Sequence, residues 1–225
     1  MLTVEEHLTR LDEQMIGSLE SRKTVYQLLV DFIGEEPTLE NIVIWRKSGR
    51  LDRLSSMSDF AKTFCQQLQE VPDHQLYALF SSLRAEHRRL FSPKGELPVI
   101  PCETMYRAHE QKRPKSYAQE VRDAYADFSL YFKKMHGESD DHIAVELEFM
   151  AVIIEKMQNT VMTEERYERY MNGQSRFVLE HLQRWAVQFG QDLEQHTIHP
   201  VYKTLAKMLQ DFVAKEAVWA KAHVN

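Results

Sequence analysis

Five carboxylates fall between Glu138 and Glu148 with no Lys or Arg among them: Glu138, Asp140, Asp141, Glu146 and Glu148. Acids in such a run either receive the forked guanidinium of an arginine or join a buried polar network. Helix-start chemistry accounts for Asp140 and Asp141, with Asp141 as N-cap and both acids favoured by the helix dipole. It leaves Glu146 unexplained. That residue lies one turn inside an apolar segment carrying Ile143, Leu147, Met150, Ile154 and Met157, where a buried carboxylate needs a partner. A structural network and a binding site are both open for it.

Other reactive residues have less behind them. Ten histidines invite a metal, but the chain has no HExxH and no Glu-x-x-His at any of them. His196 and His199 have the nearest ligand-like spacing; the helix end and Pro200 between and beside them favour solvent-facing residues at a helix junction. Asp73-His74 and Asp141-His142 reverse the His-Asp order of the helical metal phosphohydrolases. Cys102 follows a proline-rich loop with no base nearby in sequence, which suits a small packing residue. No Gly-rich loop precedes a helix, so no cofactor is expected and no motif supports a nucleotide such as GTP. Arg88, Arg89 and Phe91 carry the pattern of a twin-arginine export motif. They end an internal helix with no apolar run after it, and read as a solvated helix face.

The elements that position these residues are helical. Glycine occurs 7 times in 225 residues, against roughly 16 for ordinary usage, leaving few positions for hairpins. Apolar spacing predicts a helix from Thr3 to Phe32, a short one from Thr38 to Lys47, a turn at Ser48 and Gly49, a helix capped by Ser58, and another from Pro72 to Phe91. Three prolines between Ser92 and Pro101 predict an ordered loop. Helix resumes from Ser116 to His136, and again from His142 to Met157, where apolar stripes on two sides predict packing on two sides. Thr163 caps a long helical region with Gly173 as a possible break, and residues Thr197 to Pro200 separate it from the last helix. The break from Gly137 to Asp141 is read as a hinge. The expected fold is therefore all-α, a helical bundle of two units: residues 1–136, a hinge at 137–142, and residues 143–225.

Composition bounds the class. The net charge is −6, and the basic concentrations at Arg88-Arg89 and Lys112, Arg113 and Lys115 are short. Phosphate neutralisation needs more, so nucleic acid is not an expected partner. The longest stretch free of Asp, Glu, Lys and Arg, His74 to Leu83, is far short of the roughly 20 residues that span a bilayer, and no membrane insertion is expected. Charge from the fifth residue onward argues against a secretory signal, and Cys65 and Cys102 suit a reducing cytoplasm.

The acidic hinge leading into Asp141 to Met150 resembles the signature of the TorD/DmsD type of redox-enzyme maturation chaperones, in which an E-P-x-D-H pattern joins two helical parts. Three further segments agree in order and spacing: Arg89 to Phe91, the loop from Leu97 to Tyr106, and the stretch from His199 to Leu205. Ser139 stands where the family often has proline, and Cys102 where it frequently has an aromatic residue. The resemblance implies a TorD-like, cytoplasmic, non-enzymatic chaperone of the molybdoenzymes of anaerobic respiration. Its partner would be the precursor of a molybdenum-cofactor oxidoreductase with its twin-arginine leader, held back from export until the cofactor is inserted. In that setting Asp141 and Glu146 would receive the leader's arginines, within the acidic hinge that begins at Glu138. His142 would orient Asp141 or touch the peptide, Glu103 and Tyr106 would close the groove, and Phe91, Tyr106 and Met150 would line its apolar side. A monomer or a domain-exchanged dimer is expected. Two other classes stay open: a helical adaptor without signal-peptide specificity, and a small metal-dependent hydrolase using His196, His199 and scattered acids.

Overall fold

Side-chain caps set the helix starts. Thr38, Ser58, Ser116, Thr163 and His199 each accept a hydrogen bond from a backbone N–H of the turn they open, and Ser116 completes a capping box with Gln119. The computed structural model describes residues 8–9, 13–91, 99–110, 115–132, 138–159 and 161–224. Its helices are α1 (Glu13–Leu29), α2 (Leu39–Lys47), α3 (Arg50–Ser55), α4 (Asp59–Gln69), α5 (Leu76–Phe91), α6 (Glu103–Tyr106), α7 (Tyr117–Ala126), α8 (Ile143–Asn159), α9 (Glu164–Phe177), α10 (Gln183–His196) and α11 (Pro200–His223). π-helical turns at Val30–Gly34 and Val178–Leu182 extend α1 and join α9 to α10. The fold is all-α, as expected.

Helix α8 is the centre of the molecule. Ile143, Leu147, Phe149, Met150, Ile153 and Ile154 are fully buried along it, and it packs against α1 and the first π turn as well as against α9. The double apolar stripe thus meets partners on two sides. An alanine-sized side chain at Gly34 would come within 2.8 Å of Ala144 Cβ, so the missing side chain lets the π turn lie directly on α8. Helix α11 packs against α10, α4 and α9. It is tied to α1 by a buried network: Arg22 donates twice to Glu216 at 2.7 Å, and Tyr26 donates to the same carboxylate at 2.6 Å. Elements before and after residues 137–142 contribute to one hydrophobic cluster.

Four expectations meet a different structure. Leu8 and Thr9 form an antiparallel two-residue ladder with Met162 and Thr163 rather than helix; residues 3–7 and 10–12 of that expected helix lie outside the described residues. A helical turn at Arg50–Ser55, burying Leu51 and Leu54, follows the turn at Gly49. The helix from Ser116 stops at Ala126, because Ser129 takes φ 55° and Phe128 and Phe132 turn inward onto Phe149; residues 133–137 lie outside the described set. Gly173 is no break: α9 runs through it, and its missing Cβ makes room for the Phe128 ring, which would stand 2.2 Å from such an atom. The expected loop falls mostly on residues 92–98, also outside the described residues.

Candidate functional site

Two segments distant in sequence are stitched together where the acidic run enters α8. Cys102 and His142 form an antiparallel bridge, Glu103 donates its N–H to the Asp141 carbonyl at 2.9 Å, and Ile143 donates to the Pro101 carbonyl at 2.9 Å. The Asp141 carboxylate accepts from the Thr104 N–H at 2.8 Å and from the Thr104 hydroxyl. Asp141 therefore caps α6, across the chain, and not its own helix. That task falls to His142, whose Nδ1 accepts from the Ala144 N–H at 3.2 Å. Burial and the nearby Glu138 and Asp141 act oppositely on the His142 ring, and burial prevails, so its pKa is lowered.

Beneath this stitch lies a cluster of buried charge. Glu103, 0% exposed, takes a hydrogen bond from Arg107 Nη1 and faces His181 Nδ1 at 2.9 Å. Arg107, 2% exposed, also holds Glu110 through two contacts of 2.9 Å, donates to the Glu180 carbonyl at 2.8 Å, and lies 4.1 Å from the centre of the Tyr117 ring. Burial disfavours its charge, but the hydrogen bonds it donates to Glu110 and Glu103 outweigh that and raise its pKa. Glu146, 0% exposed, accepts from Trp185 Nε1 at 3.1 Å, while its other oxygen has no partner. Burial first, and then the neighbouring Glu103, drive its pKa well above the ordinary carboxylate range. A Glu146 that keeps its proton relieves the repulsion between the two acids.

The remaining candidates lie around this cluster. Tyr106 is half-buried, with its ring 5.6 Å from Trp185 and 6.1 Å from Phe189, and its hydroxyl bonded to Asp192. Phe91 reaches the same patch through Phe189 at 6.3 Å. Glu138 is half-buried and acts on His142. Met150 is fully buried within α8. Asp141, His142, Glu103, Glu146 and Tyr106 thus share one junction, Phe91 borders it, and Met150 belongs to the core beneath. With Asp141 1% exposed and Glu146 fully enclosed, direct contact between these two and a peptide requires the junction to open. Cys102 fits the packing reading, since burial, Asp141 and Glu146 push its thiol up to about 12.

The sequence singles out none of Arg107, His181 and Trp185 as site residues. The Glu103–Arg107 spacing of four residues on a helix was the available signal; His181 had none. A second constellation ties the end of α5 to the α10–α11 corner. The buried carboxylate of Glu86 receives Arg89 through two bonds of 2.8 Å, the Thr197 hydroxyl at 2.6 Å and the Ile198 N–H at 2.9 Å, and Arg89 also donates to the His196 carbonyl at 2.7 Å. Burial works against its charge, but these donors hold the Glu86 carboxyl at about 2. His196 and His199 each direct Nδ1 at local backbone, to the Asp192 carbonyl and from the Val201 N–H. Among the described residues no three His, Cys, Asp or Glu side chains are grouped as a metal site.

Residues 54–191 match the family model described as the nitrate reductase delta subunit. The chain belongs to this family, that of the redox-enzyme maturation chaperones. Its matched span includes α5, α6 and α8 and with them Glu86, Glu103, Arg107, Asp141, Glu146, His181 and Trp185. The chain is similar to the curated protein "Chaperone protein TorD" of Aliivibrio salmonicida, 26% identical over 203 residues, covering 86% of this chain and 92% of that one. It is also similar to the protein of that name from Photobacterium profundum, 23% identical over 216 residues, covering 92% and 97%. The family resemblance read from the hinge is borne out. Among the described residues no helix is long and apolar enough to cross a membrane.

Proposed function

We propose that this redox-enzyme maturation chaperone acts in the cytoplasm, without catalysis, on the precursor of a molybdenum-cofactor oxidoreductase, binding its twin-arginine leader, its apo form, or both. Family membership supports the class of client. The observation that carries the leader reading is the junction itself, where acidic side chains and the half-buried aromatic rings of Tyr106 and Phe91 lie side by side. A leader presents two arginines and then an apolar stretch; guanidinium forks pair with carboxylates, and the apolar stretch seeks exposed ring faces. In this reading Glu103, Asp141 and Glu146 hold the junction in shape, and Tyr106 and Phe91 offer the apolar contact.

Calorimetric titration with synthetic leaders of the host's molybdoenzymes tests this. Binding is expected, weakening in high salt because exposed charge pairs are screened over about 8 Å at physiological ionic strength, with an apolar part that persists. A folded chain that binds none of the leaders but captures the apo-oxidoreductase acts on the apo form alone, whereas one that captures neither and docks another protein supports the adaptor class. An Asp141→Asn, Glu146→Gln double variant that folds and binds normally shows that these two brace the junction without touching the leader.

A further inference from the structure

The chain carries its own copy of the leader's chemistry, and that copy is already seated. Arg88, Arg89, Leu90 and Phe91 present two adjacent arginines followed by apolar residues. Arg88 donates to Glu36 Oε2 at 2.8 Å, while Arg84 occupies the other oxygen of the same carboxylate. Arg89 forks onto Glu86. The two acids come from different parts of the fold, Glu36 from the segment after the first π turn and Glu86 from α5. They lie near one another, since neighbouring residues of α5, Arg88 and Arg89, reach them both. Ordinary surface pairing explains a long cation lying over an acid. Neighbours on a helix point about 100° apart, so Arg88 and Arg89 diverge by geometry, and Arg89 meets Glu86 at the ordinary i,i+3 spacing; what sets this pair apart is that the acid is buried and fixed in place by Thr197 and Ile198.

We propose that Glu36 and Glu86 are the arginine-receiving surface for a twin-arginine leader, occupied in the free chain by Arg84, Arg88 and Arg89 as internal stand-ins. The inference rests on the leader reading above and locates its charged half away from the enclosed Asp141 and Glu146. Access is what distinguishes the two places. The side chains of Arg88, Arg89 and Glu36 are 56%, 41% and 36% exposed, so the stand-ins can swing into water without disturbing the core. Ile198, 78% exposed beside Glu86, supplies an apolar contact for the residues that follow the arginines. Glu86 would stay in place throughout, because Thr197 and Ile198 continue to hold it. The internal pairs set a threshold: a ligand with one cation gains less than the pairs it displaces, whereas two forked arginines replace both.

The test uses the full chain and two synthetic peptides, one with Arg-Arg-x-Phe followed by an apolar run and one with Lys-Lys in place of Arg-Arg. Arg84→Ala combined with Arg88→Ala uncovers Glu36 and is expected to tighten the Arg-Arg peptide about fivefold, with little gain for Lys-Lys. Glu36→Gln is expected to weaken the Arg-Arg peptide by a similar factor. Arg88 is exposed and Arg84 and Glu36 are half-buried, so thermal melting of each variant is measured alongside to confirm that it folds. If the wild-type chain binds the Arg-Arg peptide and neither variant changes its affinity, this surface is wrong and the leader reading survives. Equal gains for both peptides also overturn it, since a loose charge effect and not arginine recognition would be responsible. If no form of the chain binds either peptide, the leader reading fails and this inference with it.

Discussion

Asp141 caps a helical turn that belongs to another part of the chain: its Oδ2 accepts the Thr104 N–H at 2.8 Å, on the first turn of α6. Cys102, the residue that would ordinarily do this, has no side-chain capping bond, and the aspartate reaches across the bridge to supply the acceptor. One carboxylate thereby fixes the entry to α8 and the start of α6 together. Asp141→Ala leaves the Thr104 N–H and hydroxyl without their acceptor and should cost about 1–2 kcal/mol, the range for a lost cap. Asp141→Asn keeps an acceptor oxygen and should cost less than half as much. Urea unfolding of the two variants measures the difference, and equal losses would show that the charge, not the cap, is what matters.

Glu146 is expected to oppose stability as pH rises. Its folded pKa is raised by burial and by Glu103, so above the ordinary carboxylate range the unfolded chain releases this proton first and folding is progressively disfavoured. Glu146→Gln keeps the acceptor for Trp185 and removes the ionisation. The variant should melt no lower than the parent near neutral pH, and its melting temperature should fall less between about pH 5 and pH 8. A clear loss at neutral pH would mean that the wild-type side chain is needed as a charged partner.

The helical class, most caps and the central place of α8 are legible in the sequence, because they depend on local propensity and on apolar spacing. Ser58, Ser116 and Thr163 sit at the positions where short-range chemistry puts them. The site was harder to read. The acidic run marks its location, but proximity of Asp141 to Thr104, and of Glu146 to Trp185, is created by tertiary contacts between residues 37 and 39 apart. His181 reaches Glu103 across 78 residues, and no spacing rule covers such a distance. The failed helix beyond Ala126 has a similar origin: Phe128 has helical periodicity, yet the space opened by Gly173 draws it into a non-helical turn.

Arg107 is the residue whose loss should be felt most at the junction. It compensates two carboxylates and donates to a carbonyl of the second π turn from a nearly fully buried position. Arg107→Ala strands Glu103 and should cost about 3–5 kcal/mol, the range for breaking a buried pair on one side. Arg107→Met combined with Glu103→Gln removes both charges and should recover most of that loss. Chemical denaturation of the single and double variants decides; additive losses would show that the two side chains are not coupled.

Buried histidines are expected to erode stability as the solution is acidified. His87 packs its ring 4.8 Å from Phe91 and 6.5 Å from Tyr202, and its Nε2 has no partner. Burial holds its pKa down at about 4, overcoming the opposing pull of the Ile33 carbonyl and Glu36, while His142 and Arg88 add to the depression. His142 and His199 are also lowered, chiefly by burial. Between the unfolded value of about 6.5 and the folded value, the unfolded chain binds more protons. Stability is therefore fully present above about pH 6.5 and is lost as pH falls toward 4, by an amount on the order of 2–3 kcal/mol for His87 alone. His87→Phe preserves the ring contacts but gives up the Ile33 carbonyl, so it should be about 1 kcal/mol less stable near neutral pH. Its stability should nevertheless decline less than the parent's on acidification. Urea unfolding at about pH 7.5 and about pH 4.5 compares the two losses. Identical losses would show that His87 does not titrate in this window, leaving His142 and His199 as the groups that set it.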